Sequence, residues 1–147
     1  MSVANAPVPT QGLSAGNKAA DPTVQYDGVI FASAARVVGA YTSGEYFAAK
    51  WQGVRIFVNV TNANGGSLAV KVQNFDQASQ TWGDAPLAVI TCTTNALSTL
   101  TIHPGLTENV TANGSVDVSD PIGRRWRVVA TVSTATMTFS VGGEHLV

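Results

Sequence analysis

The stretch Gly53-Val54-Arg55-Ile56-Phe57-Val58-Asn59-Val60-Thr61 alternates between aliphatic residues and everything else. Successive side chains of an extended chain point to opposite faces, so Val54, Ile56, Val58 and Val60 share one side and Arg55, Phe57 and Asn59 the other. A helix would need the apolar residues at spacings of three and four, which this stretch lacks. Valine and isoleucine are also stiff, β-branched side chains that suit a pleated surface. The stretch reads as a β-strand with one face on a core.

The same period of two recurs on either side. Leu68, Val70 and Val72 alternate with Ala69, Lys71 and Gln73; Trp126, Val128, Ala130 and Val132 alternate with Arg125, Arg127, Val129 and Thr131; Met137, Phe139 and Val141 alternate with Thr136, Thr138 and Ser140. Leu87–Thr93 and Leu97–His103 are further strand candidates, the first apolar on both faces and therefore expected to be central or covered. Two weaker strands are expected within Gly28–Tyr41, and one helical turn at Glu45–Lys50. Asn62-Ala63-Asn64-Gly65-Gly66 predicts a hairpin turn, Asp76 to Pro86 a longer loop, and His103-Pro104-Gly105 a strand stop. The pattern predicts an all-β fold: an antiparallel β-sandwich or jelly-roll-like barrel of about 7 or 8 strands.

Residues 1–28 differ in kind. They hold Pro7, Pro9 and Pro22, three glycines, and no period of either type. Proline restricts itself and its predecessor to extended conformations. This segment is read as an extended N-terminal arm, with Val24 and Tyr26 as the anchors that would order on a neighbouring subunit, and residues 29–147 as the β-domain.

With 147 residues, the chain can bury roughly two-thirds of its surface in one core. Only 12% of its residues are charged, about half the usual share, and the net charge is −1. That balance speaks against nucleic-acid binding, and no apolar run reaches the ~20 residues of a membrane span. Cys92 is the single cysteine, so no intrachain disulfide can form. The start Met-Ser-Val-Ala-Asn-Ala-Pro lacks a basic and an apolar region, so the expected route is synthesis in a reducing cytoplasm without a signal peptide.

No constellation predicts chemistry. His103 and His145 have no ligand-spaced partners, so neither a metal nor another cofactor is expected. Cys92 sits in the apolar run Val89-Ile90-Thr91-Cys92, where an inert buried thiol is the ordinary reading. No Gly-x-Ser-x-Gly elbow occurs and the acids are scattered, so no catalytic residue is nominated. The candidate contacts are of another type. Arg125 and Arg127 point the same way, opposite Trp126, as a solvated or acid-paired edge or as a grip on a partner's carboxylates or on a polyanion. Trp82 lies in the predicted long loop as the most exposed tryptophan, able to fill a partner's pocket or, with Asp76 or Asp84, to stack on a sugar. Phe57 beside Arg55 on an outward face points to cover by another chain or by the arm.

Several segments in order resemble small virion proteins of tailed bacteriophages, of the head decoration (cement) type: residues 53–61, Ser67-Leu68-Ala69-Val70-Lys71-Val72-Gln73, the Asp76 to Trp82 loop, His103-Pro104-Gly105-Leu106, Arg125-Trp126-Arg127-Val128, and Thr138-Phe139-Ser140-Val141-Gly142. The resemblance spans about residues 50–145. In such proteins the loop often reads Asp-x-x-Ser-Gly-x-Trp; here Gln80 stands at the glycine position. The resemblance implies a non-enzymatic protein on the capsid surface of the virion. Its implied partners are the major capsid protein and further copies of itself, commonly as a homotrimer. The alternatives are a carbohydrate-binding β-sandwich of a tail fibre or adhesin, and a tail structural component.

Overall fold

The computed structural model describes residues 27–110 and 114–147. The anchors expected at Val24 and Tyr26 therefore lie outside the described residues. Eleven strands follow one another: β1 (Asp27–Arg36), β2 (Gly39–Thr42), β3 (Tyr46–Phe47), β4 (Gly53–Asn62), β5 (Ser67–Asp76), β6 (Thr81–Cys92), β7 (Ala96–Ile102), β8 (Asn109–Val110), β9 (Ser115–Val118), β10 (Arg125–Ser133) and β11 (Met137–Leu146). They form two sheets, ordered β1-β11-β4-β7-β9-β8 and β2-β10-β5-β6, with β3 pairing β10 beyond the end of β2. The architecture is the all-β sandwich that the alternation predicts.

The core lies between the sheets and is made of the alternating aliphatic sets. Val54, Ile56, Val58 and Val60 of β4, with Leu100, Phe139 and Val141 from its neighbours, are buried from one side. Leu68, Val70 and Val72 of β5, with Trp126, Val128, Ala130 and Val132 of β10, close on them from the other. Burying a side chain of this size contributes roughly 1.5–3 kcal/mol, so these two rows dominate what holds the sheets together.

The structure differs from the sequence reading in several places. Among the described residues there are eleven strands rather than seven or eight, because β3, β8 and β9 have 2, 2 and 4 residues and are too short to show a period. The pairing of β7 with β9 is parallel, unlike every other pair among the described residues. The segment read as a helical turn at Glu45–Lys50 instead supplies β3, pinned to β10 through Arg125 opposite Phe47. The segment read as an arm up to residue 28 contributes its last two residues to β1, where Asp27 and Gly28 pair with Glu144 and Gly143.

The turn at Asn62–Gly66 is real, but it does not make a hairpin. Asn64 and Gly65 take left-handed backbone (φ 53° and 78°), and Gly66 N–H donates to the Ala63 carbonyl at 2.8 Å. A side chain on Gly66 would meet Met137 and the Ala135 carbonyl, so only glycine fits beneath the 133–137 connection. The strands on either side enter different sheets: β4 pairs β11 and β7, whereas β5 pairs β10 and β6. Turn chemistry sets a local reversal; long-range pairing decides whether it stays within one sheet.

Leu87–Thr93, expected to be central or covered because both its faces are apolar, lies in β6, an edge strand of the second sheet. Leu87 and Val89 are 54% and 44% exposed. The extra apolar side chains result from a bulge. Gln73 pairs with Asp84 and Lys71 with Val89, so Ala85, Pro86, Leu87 and Ala88 together face Val72. Ala85 and Ala88 point into the core, while Pro86 and Leu87 are thrown outward, Leu87 with a left-handed φ of 62°. Such a bulge bends an edge strand and discourages another strand from adding to it.

One polar pair sits inside the core. Trp126 Nε1–H donates to Nε2 of His145 at 3.2 Å, joining β10 to β11 across the sandwich. The Trp51 ring stacks parallel to the imidazole at 6.1 Å, and Tyr46 tilts against Trp126 at 4.9 Å. Burial lowers the His145 pKa from 6.5 to about 4, so the ring stays neutral and able to accept. Above pH ~6.5 both folded and unfolded rings are neutral. As the pH falls from 6.5 towards 4, the unfolded chain takes up a proton that the folded chain refuses, and stability falls by up to ~3 kcal/mol. Denaturant melts between pH 7 and pH 4 should show this loss, levelling off below pH 4, and His145→Gln should flatten the profile across that window.

Candidate functional site

The outer face of β10, β5 and β6 holds a patch of aromatic and basic side chains. Alternation places Trp126 inward and therefore Arg125 and Arg127 outward, as the sequence predicts. Lys71, Gln73 and Phe75 occupy the outward positions of β5 by the same rule. The β5–β6 hairpin sets Trp82 opposite Phe75 and Asp84 opposite Gln73. The β10–β5 register adds Arg127 opposite Gln73. Three strands separated in sequence thus meet on one surface.

The contacts form a ladder. Phe75 and Trp82 meet edge to face, with ring centroids 5.1 Å apart. The Arg125 guanidinium lies over Phe75 at 4.0 Å and near Trp82 at 5.7 Å, while its Nε donates to Glu45 Oε1 at 2.7 Å. The Arg127 guanidinium lies over Trp82 at 4.3 Å, and its Nε donates to Gln73 Oε1 at 2.8 Å. Gln73 in turn donates to Asp84 Oδ1 at 2.8 Å, and Lys71 donates to Asp84 Oδ2 at 3.1 Å. These two donors lower the Asp84 pKa, the Gln73 hydrogen bond first. Each exposed ion pair contributes at most about 1 kcal/mol and each cation–π contact about 0.5–1 kcal/mol, so the ladder orders the surface more than it stabilises the fold.

Trp82, expected in an exposed loop, is instead half-buried on a strand. The predicted loop from Asp76 to Pro86 shrinks to the four residues Gln77–Gln80, and β6 begins at Thr81. One ring face of Trp82 carries the Arg127 guanidinium, so that face is not open to a sugar ring. Asp76 is engaged in the turn, accepting from Ala78 N–H at 3.0 Å and from Ser79 Oγ at 2.7 Å, and these bonds lower its pKa, the Ser79 bond first.

Arg55 and Phe57 lie on the outward face of β4, in the other sheet, and so on the opposite side of the sandwich from Trp82, Arg125 and Arg127. Arg55 pairs with Glu144 at 3.1 Å, and Phe57 is half-buried opposite Gly142 and Thr99. The candidate contact residues that are described therefore make two separate surfaces. The aromatic and amide partners Phe75 and Gln73, and the acid Glu45, were not nominated. The signal for the first two was their parity with Lys71; Glu45 joins only through the β3–β10 pairing.

A hollow of about 330 Å³ adjoins the patch at the β6 bulge, lined by Lys71, Asp84, Pro86, Leu87 and Val89 with the two bulge alanines. Cys92 is buried, and desolvation raises its thiol pKa, which keeps it un-ionised and unreactive. Among the described residues no group of three or more His, Cys, Asp or Glu could hold a metal ion. The His103 ring nitrogens lie 2.8 Å from backbone oxygens of Pro104 and Val147, and one N–H can donate to either of them.

No family model matches the sequence, and no curated protein matches it. Solved structures do match the fold. One of them, the crystal structure of PBSX exported protein XepA, aligns with a TM-score of 0.56 at 10% identity. The alignment covers 82% of this chain and 36% of that one, so the chain spans about a third of the length of the protein it resembles.

The hairpin tip carries a measurable strain. Gln80 adopts a left-handed φ of 60°. A side chain there costs ~1 kcal/mol, partly offset by the Gln80 Nε2 hydrogen bond to the Gln77 carbonyl at 2.7 Å. Gln80→Gly should therefore leave stability unchanged or raise it by up to ~1 kcal/mol, whereas Gln80→Val should lower it by more than 1 kcal/mol. Thermal melts of the two variants beside the parent check both signs.

Proposed function

We propose that this chain is a non-enzymatic bacteriophage structural protein that binds the outside of the assembled capsid and stabilises the shell. The observation that carries the reading is the ordered aromatic and arginine face on β10, β5 and β6. Aromatic residues and arginine are the types enriched where proteins dock on proteins, and rigid rings lose little entropy on binding. The likeness of fold to an exported protein of the phage PBSX supports a phage origin. So does the ordered resemblance of residues 50–145 to head decoration proteins.

The mode of action needs no chemistry beyond binding. A protein that binds the assembled lattice better than its free subunits shifts the equilibrium towards the assembled shell by mass action. Self-association as a homotrimer would let several copies of the face engage major capsid protein subunits at once, multiplying affinity without a new contact. The low charge content fits a working state in which part of the surface is covered by protein rather than water.

The test is to prepare virions with and without this protein. Particles carrying it should show it on the head by immunogold negative stain, and they should release DNA at a higher temperature. Absence from purified virions, or its location on the tail alone, overturns the reading.

A further inference from the structure

The charges on the outer face of β10, β5 and β6 do not balance. Arg125 is matched by Glu45 at 2.7 Å, and Lys71 by Asp84 at 3.1 Å. Arg127 stands between these pairs, with no carboxylate within 4.0 Å among the described residues. Asp84 is not free to swing across to it, because Oδ1 is held by Gln73 and Oδ2 by Lys71. The face therefore keeps one positive charge, and it sits on one guanidinium.

That guanidinium is also oriented. Its Nε is bonded to Gln73 Oε1 at 2.8 Å, and its Cζ lies over the Trp82 ring, 4.3 Å from the centroid. Gln73 cannot rotate away without losing its bond to Asp84. With Nε engaged, the two terminal nitrogens make no hydrogen bond among the described residues. They present a planar fork whose rotamer entropy is already spent, half-buried beside the Phe75–Trp82 pair.

We propose that Arg127 is the receptor for a carboxylate on the protein partner: an Asp or Glu side chain whose two oxygens accept from Nη1 and Nη2. The proposal rests on the capsid-binding reading for the identity of the partner, but its chemistry is local. A carboxylate matches the spacing of the two donors, and charge-assisted bidentate bonds are shorter and stronger than neutral ones. Partial burial beside aromatic rings reduces solvent screening. A single uncompensated cation suits one carboxylate. A nucleic acid would need a row of cations, and the chain as a whole carries net charge −1.

The experiment uses the full chain, ¹⁵N-labelled, titrated at low salt with the peptide acetyl-hexaglutamate-amide and, in a parallel arm, with hexametaphosphate. The expected result is a shift of the Arg127 Nε–Hε and Trp82 indole signals with the peptide, weakening as salt rises. Arg127→Gln should reduce the affinity at least about tenfold, since a hydrogen-bonded charge contributes more than 1.4 kcal/mol. Arg127→Lys, which keeps the charge but not the fork, should fall between, and Arg124→Gln, at an exposed neighbouring arginine, should change nothing. An unchanged affinity in Arg127→Gln, an equal loss in Arg124→Gln, or tighter binding of the phosphate than of the peptide overturns the assignment. So does the absence of any response to the peptide. Capsid shells that bind the wild type and Arg127→Gln equally overturn this inference alone. Shells that bind neither overturn the capsid reading and leave the titration standing.

Discussion

A buried indole N–H must find an acceptor or lose the free energy of a hydrogen bond, about 1–3 kcal/mol. In this protein the acceptor for Trp126 is a neutral histidine from the opposite sheet, His145. The pair does more than satisfy one donor. It ties β10 to β11 across the sandwich, at the point where Trp51 and Tyr46 also pack. It also fixes the phase of β10. With Trp126 inward, Val128, Ala130 and Val132 follow it into the core, and Arg125 and Arg127 have only the outer face left.

The outer face is a consequence of that phase and of two registers. Sliding β5 by one residue against β10 would turn Lys71, Gln73 and Phe75 into the core and expose Leu68, Val70 and Val72, which the packing forbids. Given the register, Phe75 meets Trp82 through the hairpin, and the two arginines lie over the rings. The sparse charges are used economically. Arg55 with Glu144, Arg125 with Glu45 and Lys71 with Asp84 are matched pairs, two of them on this outer face.

Trp82 was expected in a loop because Asp76, Gly83 and Pro86 all resemble loop residues. In the structure Asp76 closes a four-residue turn, Gly83 sits within a strand, and Pro86 occupies a bulge on an edge, where its missing N–H costs no ladder bond. Leu87–Thr93 was expected to be covered because apolar residues on both faces normally mean burial. The three additional residues of the bulge break the alternation and reverse that inference. Asn62–Gly66 carried the signature of a hairpin, and the turn forms, but its two strands part into different sheets.

The amino-acid sequence by itself determined the all-β class, the inward rows of β4, β5, β10 and β11, and the shared outward direction of Arg125 and Arg127. These follow from a period of two, which is a local property of an extended backbone. Only the tertiary structure decided which strands are neighbours. It placed β6 at an edge, set Arg55 and Phe57 on the far side from Trp82, and gathered Glu45, Gln73 and Phe75 around the two arginines. Parity along one strand carries no information about the strand beside it. That choice belongs to the pairing of segments dozens of residues apart, and it is made by the core they bury together.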